Sequence, residues 1–143
     1  MKLASLLGFA AMVAALVALL SLRAAFARSP WAIAIQIGAI LLMIWARITF
    51  GGRSFHAAAN PTRGDLVTTG PYRYLRHPIY AAILVFVWAA VIDHLSLATF
   101  SAGLLATGGA IARMLCEEYF LRQYYPEYSD YMRRTQRLIP GLW

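Results

Sequence analysis

Lysine is all but missing from this sequence: Lys2 stands alone beside twelve arginines, and acids are scarcer still, six Asp and Glu in 143 residues. Such a low charged share, 13% against 61% hydrophobic residues and a mean hydropathy of +0.61, excludes an ordinary water-soluble domain, in which charged residues make up about 25%. It also excludes intrinsic disorder, which requires low hydrophobicity. The single cysteine, Cys116, rules out an intramolecular disulfide and any cysteine cluster with metal-ligand spacing. His56, His77 and His94 lie far apart, and HExxH, GxSxG, GxGxxG and P-loop patterns are all missing, so zinc proteases, serine hydrolases and common nucleotide binders find no support. The formal charge of +7 is read as arginines that orient a membrane protein and touch anionic head groups, not as a nucleic-acid surface.

What is there is apolar sequence in long runs. Residues 3–22 contain no charge, and at 1.5 Å per residue they span about 30 Å, the thickness of the hydrocarbon core. Lys2 and the Ala25-Phe26-Ala27 segment resemble a secretory leader with its cleavage site, but the run exceeds the usual ~7–15 apolar residues and is read as a retained span. Residues 31–50 form a second apolar stretch, with Trp31 placed for one interface and Arg47 able to snorkel to the other. Residues 79–92 and 95–112 read as a helical hairpin, its tip at Asp93-His94 and its first arm short or tilted. Ala102, Ala106 and Ala110, beside Gly103, Gly108 and Gly109, give the second arm a small-residue stripe for close helix packing. The fold class expected is therefore all-α integral membrane. It comprises about four transmembrane helices with a helical hairpin and a C-terminal interfacial helical tail.

One membrane domain covers residues 1–143, divided into an N-terminal helical pair (1–50) and a core (51–143). Within the core, residues 51–78 are irregular, rich in Gly, Pro, Thr and Tyr, and loops of that length are usually functional or disordered. This loop carries Arg53, Arg63, Arg73 and Arg76, the tail carries Arg113, Arg122, Arg133, Arg134 and Arg137, and the hairpin tip carries no arginine. The positive-inside rule then places loop and tail in the cytoplasm, with Arg23 and Arg28 as a weak violation. In the tail, Leu121, Tyr124, Tyr128 and Tyr131 share one face of a helix that Pro126 is expected to break or kink.

Two clusters could carry chemistry. Arg113 and Glu117 are four apart at the end of an apolar span, close enough on a helix to pair or to grip two ends of one polar ligand. Glu118 lies about 100° round the helix, which argues against both carboxylates serving the same group. The second cluster, residues 70–80 (GPYRYLRHPIY), joins a Gly-Pro turn to a helix whose first residue is Pro78. The open backbone donors of that helix suit a carboxylate or hydroxyl. Taken singly, His77 is a hydrogen-bonding turn residue, and Tyr72 and Tyr80 are interfacial anchors.

Taken in order, Leu66-Val67-Thr68-Thr69-Gly70-Pro71-Tyr72, Arg76-His77-Pro78-Ile79-Tyr80, Arg113 with Glu117-Glu118, and Ile139-Pro140-Gly141-Leu142 resemble the isoprenylcysteine carboxyl methyltransferases and their bacterial relatives. The resemblance covers residues 64–142. It implies a membrane methyltransferase using S-adenosylmethionine and a lipophilic acceptor such as the carboxylate of an isoprenylcysteine-like compound, in a bacterial inner membrane. It further implies that Asp65, Leu66, Val67, Tyr72, His77, Pro78, Ile79 and Tyr80 line the cofactor cleft and that Glu117 also holds the cofactor. Arg113 faces the methyl acceptor, while Arg76 orients the reacting groups or holds the loop. Related membrane enzymes that methylate phospholipids or small lipophilic amines and thiols share part of this pattern. Membrane sterol reductases, which use a nicotinamide cofactor, have a similar C-terminal region but many more spans. A non-enzymatic membrane scaffold would leave the arginines and tyrosines with topological roles alone.

Overall fold

A computed structural model describes residues 1–51, 66–139 and 141. Five helices form among them: α1 (Lys2–Ser21), α2 (Pro30–Phe50), α3 (Pro78–Asp93), α4 (Leu97–Tyr124) and α5 (Tyr128–Arg134), with a short 3₁₀ turn, Gly70–Arg73, ahead of α3. Among the described residues the one sheet-like feature is a parallel bridge between Leu75 and Gln136.

The helix starts are written into the sequence. Pro30 and Pro78 each occupy a first-turn position, where the lost N–H would have had no intrahelical partner. α4 opens with a reciprocal cap: Thr99 N donates to Ser96 Oγ (3.1 Å) and Ser96 N donates to Thr99 Oγ1 (3.0 Å). At the other end of the tail, α4 stops at Tyr124 and α5 starts at Tyr128, so the break falls around Pro126 as expected.

Packing follows the small residues. α1 runs antiparallel to α4, with Ala15 and Leu19 against Ala102 and Ala106, joined by Val87 and Val91 from α3. Gly8 and Gly109 mark the closest approach, since a Cβ on Gly8 would lie 2.7 Å from the Gly109 carbonyl oxygen and one on Gly109 would lie 2.6 Å from the Gly8 carbonyl oxygen. Most of the alanine-glycine stripe thus faces α1, while Gly108 faces open space. α2 packs along α3, and between them the buried Gln36 amide donates to Ala25 O (3.0 Å) and Phe86 O (3.3 Å). The outward faces of α1 and α2 carry Leu7, Val17, Ile37 and Leu41, all exposed, as expected where lipid tails are the solvent.

Among the described residues three helices, α1, α2 and α4, are long and apolar enough to cross a membrane. The expected fourth, α3, has 16 residues, about 24 Å of helix. It nevertheless runs between the same two ends as its neighbours. At its far end Asp93 accepts from the backbone N–H groups of Arg28 and Ser29 and from the Ser29 hydroxyl, and at its near end Tyr80 meets α4. The apolar arm of α4 from Leu97 to Ala112 is equally long, and the remaining three turns carry the charges. The starts of α1 and α3, the ends of α2 and α4, and the 3₁₀ turn consequently gather at one pole.

Candidate functional site

Arg113 is the centre of that pole. Its Nε donates to Tyr80 Oη (2.6 Å), its Nη2 donates to Glu117 Oε1 (3.2 Å), and Tyr80 Oη donates to the same carboxylate oxygen. The i, i+4 spacing on α4 supplies the Arg113–Glu117 pair, and the first turn of α3 supplies the phenol. Arg113 and Tyr80 are buried, whereas the Glu117 side chain keeps 23% of its surface exposed. Its second oxygen, Oε2, lies 3.7 Å from His77 Nδ1 and accepts no hydrogen bond among the described residues.

His77 reaches both acids. Its other nitrogen, Nε2, is 3.4 Å from Glu118 Oε1, so the imidazole sits between the two carboxylates that the helical wheel assigned to different groups. The two carboxylates otherwise keep separate partners, Arg113 and Tyr80 for Glu117, Arg76 and Arg137 for Glu118, and His77 approaches both from outside α4.

Glu118, part of the sequence pattern but given no role by it, has the most ionic partners at this pole among the described residues. Only 2% exposed, it accepts from Arg76 Nε (3.0 Å) and from Arg137 Nε and Nη2 (3.1 and 2.9 Å), with Arg122 Nη2 at 3.9 Å. Its carboxylate holds the Arg137 guanidinium above its ordinary pKa by hydrogen bonding and charge. Arg76 also donates through Nη1 to the carbonyls of Met132 and Thr135, and its own N–H donates to Gln136 O (2.7 Å). The strand-like segment ahead of α3 is thereby tied to the tail after α5. Arg76 points into this junction, not toward the Arg113–Glu117 pair. Only the run of arginines in loop and tail hinted at such a counter-charge, and their separations of 42 and 19 residues from Glu118 hid it.

The tail closes the pole with aromatics. Tyr125, Tyr128 and Tyr131 form a buried cluster with Leu66 and Leu121 packed against it. Tyr124, expected on that face, is instead exposed, and Tyr125, four residues after Leu121 at the end of α4, turns inward in its place. Tyr131 Oη donates to Tyr72 O (2.7 Å), and the Tyr72 ring lies 5.3 Å from that of Phe50. Burial keeps the phenols of Tyr72, Tyr128 and Tyr131 well above their ordinary pKa, so all three stay neutral; Tyr131 donates, while the Tyr128 hydroxyl is buried without a hydrogen-bond partner among the described residues.

Of the expected cleft residues, His77, Tyr80 and Glu117 meet directly. Pro78 is buried at the start of α3, Ile79 and Val67 are half-buried, Leu66 packs against the tyrosine cluster, and Tyr72 is tied to it through its backbone carbonyl; Asp65 lies outside the described residues. No group of three His, Cys, Asp or Glu side chains converges as a metal site among the described residues.

Residues 28–128 match the phospholipid methyltransferase family. The chain is also similar to the nickel-cobalt-cadmium resistance protein NccN of Alcaligenes xylosoxydans xylosoxydans, 32% identical over 104 residues that cover 69% of this chain and 43% of that protein. A second relative is the cobalt-zinc-cadmium resistance protein CzcN of Cupriavidus metallidurans, 31% identical over 102 residues, with the same shares covered. The aligned part thus spans less than half the length of these relatives. No solved structure matches the chain.

Proposed function

This chain belongs to the phospholipid methyltransferase family, and on that premise we propose that it transfers the methyl group of S-adenosylmethionine to a lipophilic acceptor at the membrane edge. The observation that carries the reading is the set of three groups at the pole: a buried guanidinium, a phenol, and a half-open carboxylate fixed by both. When bound, S-adenosylmethionine supplies an electrophilic methyl group on a sulfonium centre.

The residues present suit that cofactor. Arg113 and Tyr80 engage Glu117 through Oε1, which leaves Oε2 to accept from an ammonium or a hydroxyl beside His77. Leu66, Val67, Tyr72, His77, Pro78 and Ile79 supply the remaining cleft, with the apolar members enclosing the adenine. Arg113 neutralises and orients an acceptor carboxylate at the inner end of its apolar path. A carboxylate acceptor needs little acid–base help, so positioning accounts for most of the rate enhancement. Arg76 holds the loop against the tail, and loop and tail both face the cytoplasm, where the cofactor is made available.

The test of these roles is substitution with calorimetry in detergent. Arg113→Ala lowers methyl transfer more than tenfold while S-adenosylmethionine still binds, and Glu117→Ala weakens that binding. Equal loss of cofactor binding in both variants overturns the division of roles.

A second reading is favoured by the family description itself: the acceptor is a phospholipid amine. The two products differ in chemistry. A methyl ester releases its label as methanol in mild base, and an N-methyl group does not, so base treatment of the lipid-soluble labelled product decides between them.

A further inference from the structure

We propose that Phe9 on α1 is the residue that sets which lipophilic acceptors reach Arg113, its ring forming the membrane-side wall of the guanidinium's site. This rests on the methyltransfer reading above, and deepens it. The Arg113 guanidinium carbon lies 5.2 Å from the Phe9 ring centre and 5.9 Å from the Tyr80 ring centre, so it is walled by one ring from α1 and one from α3. Tyr80 is only 8% exposed and is committed to Arg113 and Glu117 by hydrogen bonds. Phe9 is 42% exposed and sits on a helix whose outward face is apolar and exposed.

The α1–α4 crossing fixes this placement. Backbones approach so closely at Gly8 and Gly109 that a Cβ on Gly8 would also lie 3.1 Å from Arg113 Cγ, so α1 rests on the aliphatic stem of Arg113 and delivers the next residue, Phe9, to its head. Met12, one turn further along α1, packs against Tyr80, Ala110 and Met114 and continues the apolar lining inward. A lipophilic acceptor with an anionic head would lay its chain along this lining and displace or slide past the Phe9 ring. The chemistry selected is an acidic head on a slender hydrocarbon. Bulk near the head would meet the ring.

The test measures binding by calorimetry on protein in nanodiscs. The probes are two S-alkylthioacetic acids, one with a straight chain and one branched next to the sulfur, and S-adenosylmethionine serves as a separate ligand. Wild type is expected to prefer the straight-chain acid. Phe9→Ala should shift the straight-to-branched affinity ratio at least tenfold toward the branched acid, and Phe9→Trp should weaken both acids, while S-adenosylmethionine affinity stays within twofold in each. Val17→Ala, an exposed α1 position about two turns away, should leave the ratio unchanged. A ratio unaltered by Phe9→Ala overturns the proposal. So does failure of wild type and Phe9→Ala alike to bind either acid while S-adenosylmethionine binds normally, an outcome that leaves methyl transfer standing with an amine acceptor. Failure of S-adenosylmethionine itself to bind folded wild type removes the underlying reading as well.

Discussion

Replacing Glu118 with alanine removes the acceptor shared by Arg76, Arg137 and His77 in a pocket where the carboxylate is 2% exposed. Breaking a buried ion pair by deleting one partner costs about 3–5 kcal/mol, because the remaining charge stays desolvated without compensation. The Arg76 side chain is 10% exposed and keeps its carbonyl partners, while that of Arg137 is 21% exposed and regains water, so the lower end of the range, about 3 kcal/mol, applies. Most of that loss should fall on one junction, the seam between the segment ahead of α3 and the tail after α5. The helices α1 to α4 keep their own packing. Detergent-solubilised protein should therefore show a lower midpoint of thermal unfolding. Limited trypsin digestion should cut at Arg133, Arg134 and Arg137 well before any cleavage of the membrane helices. Glu118→Gln, which keeps the volume and one acceptor, should fall between wild type and alanine. Glu117→Ala provides the contrast: its partners are Arg113, Tyr80 and His77, so the tail should stay protected. If Glu118→Ala leaves both the midpoint and the tail's protease resistance at wild-type values, the assignment of Glu118 as the structural acid and Glu117 as the ligand-facing one fails.

Three further outcomes follow from the same geometry. Gly109→Ala places a methyl against the Gly8 carbonyl and forces α1 and α4 apart; the expected loss is about 1–3 kcal/mol, read as a lower unfolding midpoint together with weakened acceptor binding and intact α2–α3 contacts. Tyr131→Phe removes the buried hydrogen bond to the Tyr72 carbonyl and should cost about 1–2 kcal/mol, measured by thermal unfolding against wild type. Ser96→Ala removes the side-chain half of the α4 cap at the opposite pole, and should cost about 1 kcal/mol without changing S-adenosylmethionine affinity, checked by unfolding and calorimetry in parallel.

Composition and the length of the apolar runs were sufficient to determine an all-helical membrane protein, because in lipid each helix satisfies its own backbone and needs only about 20 apolar residues to be recognised. Local chemistry marked the proline that opens α3, the break at Pro126, the alanine-glycine stripe and the Arg113–Glu117 pair, since each depends on neighbours within a few residues. Tertiary structure decided the rest. Nothing local shows that Arg137 and Arg76 converge on Glu118, that His77 joins two carboxylates, or that a featureless α1 brings Phe9 to Arg113. Those contacts arise where the ends of four elements meet, and sequence separation carries no information about which ends share a pole until the helices have packed.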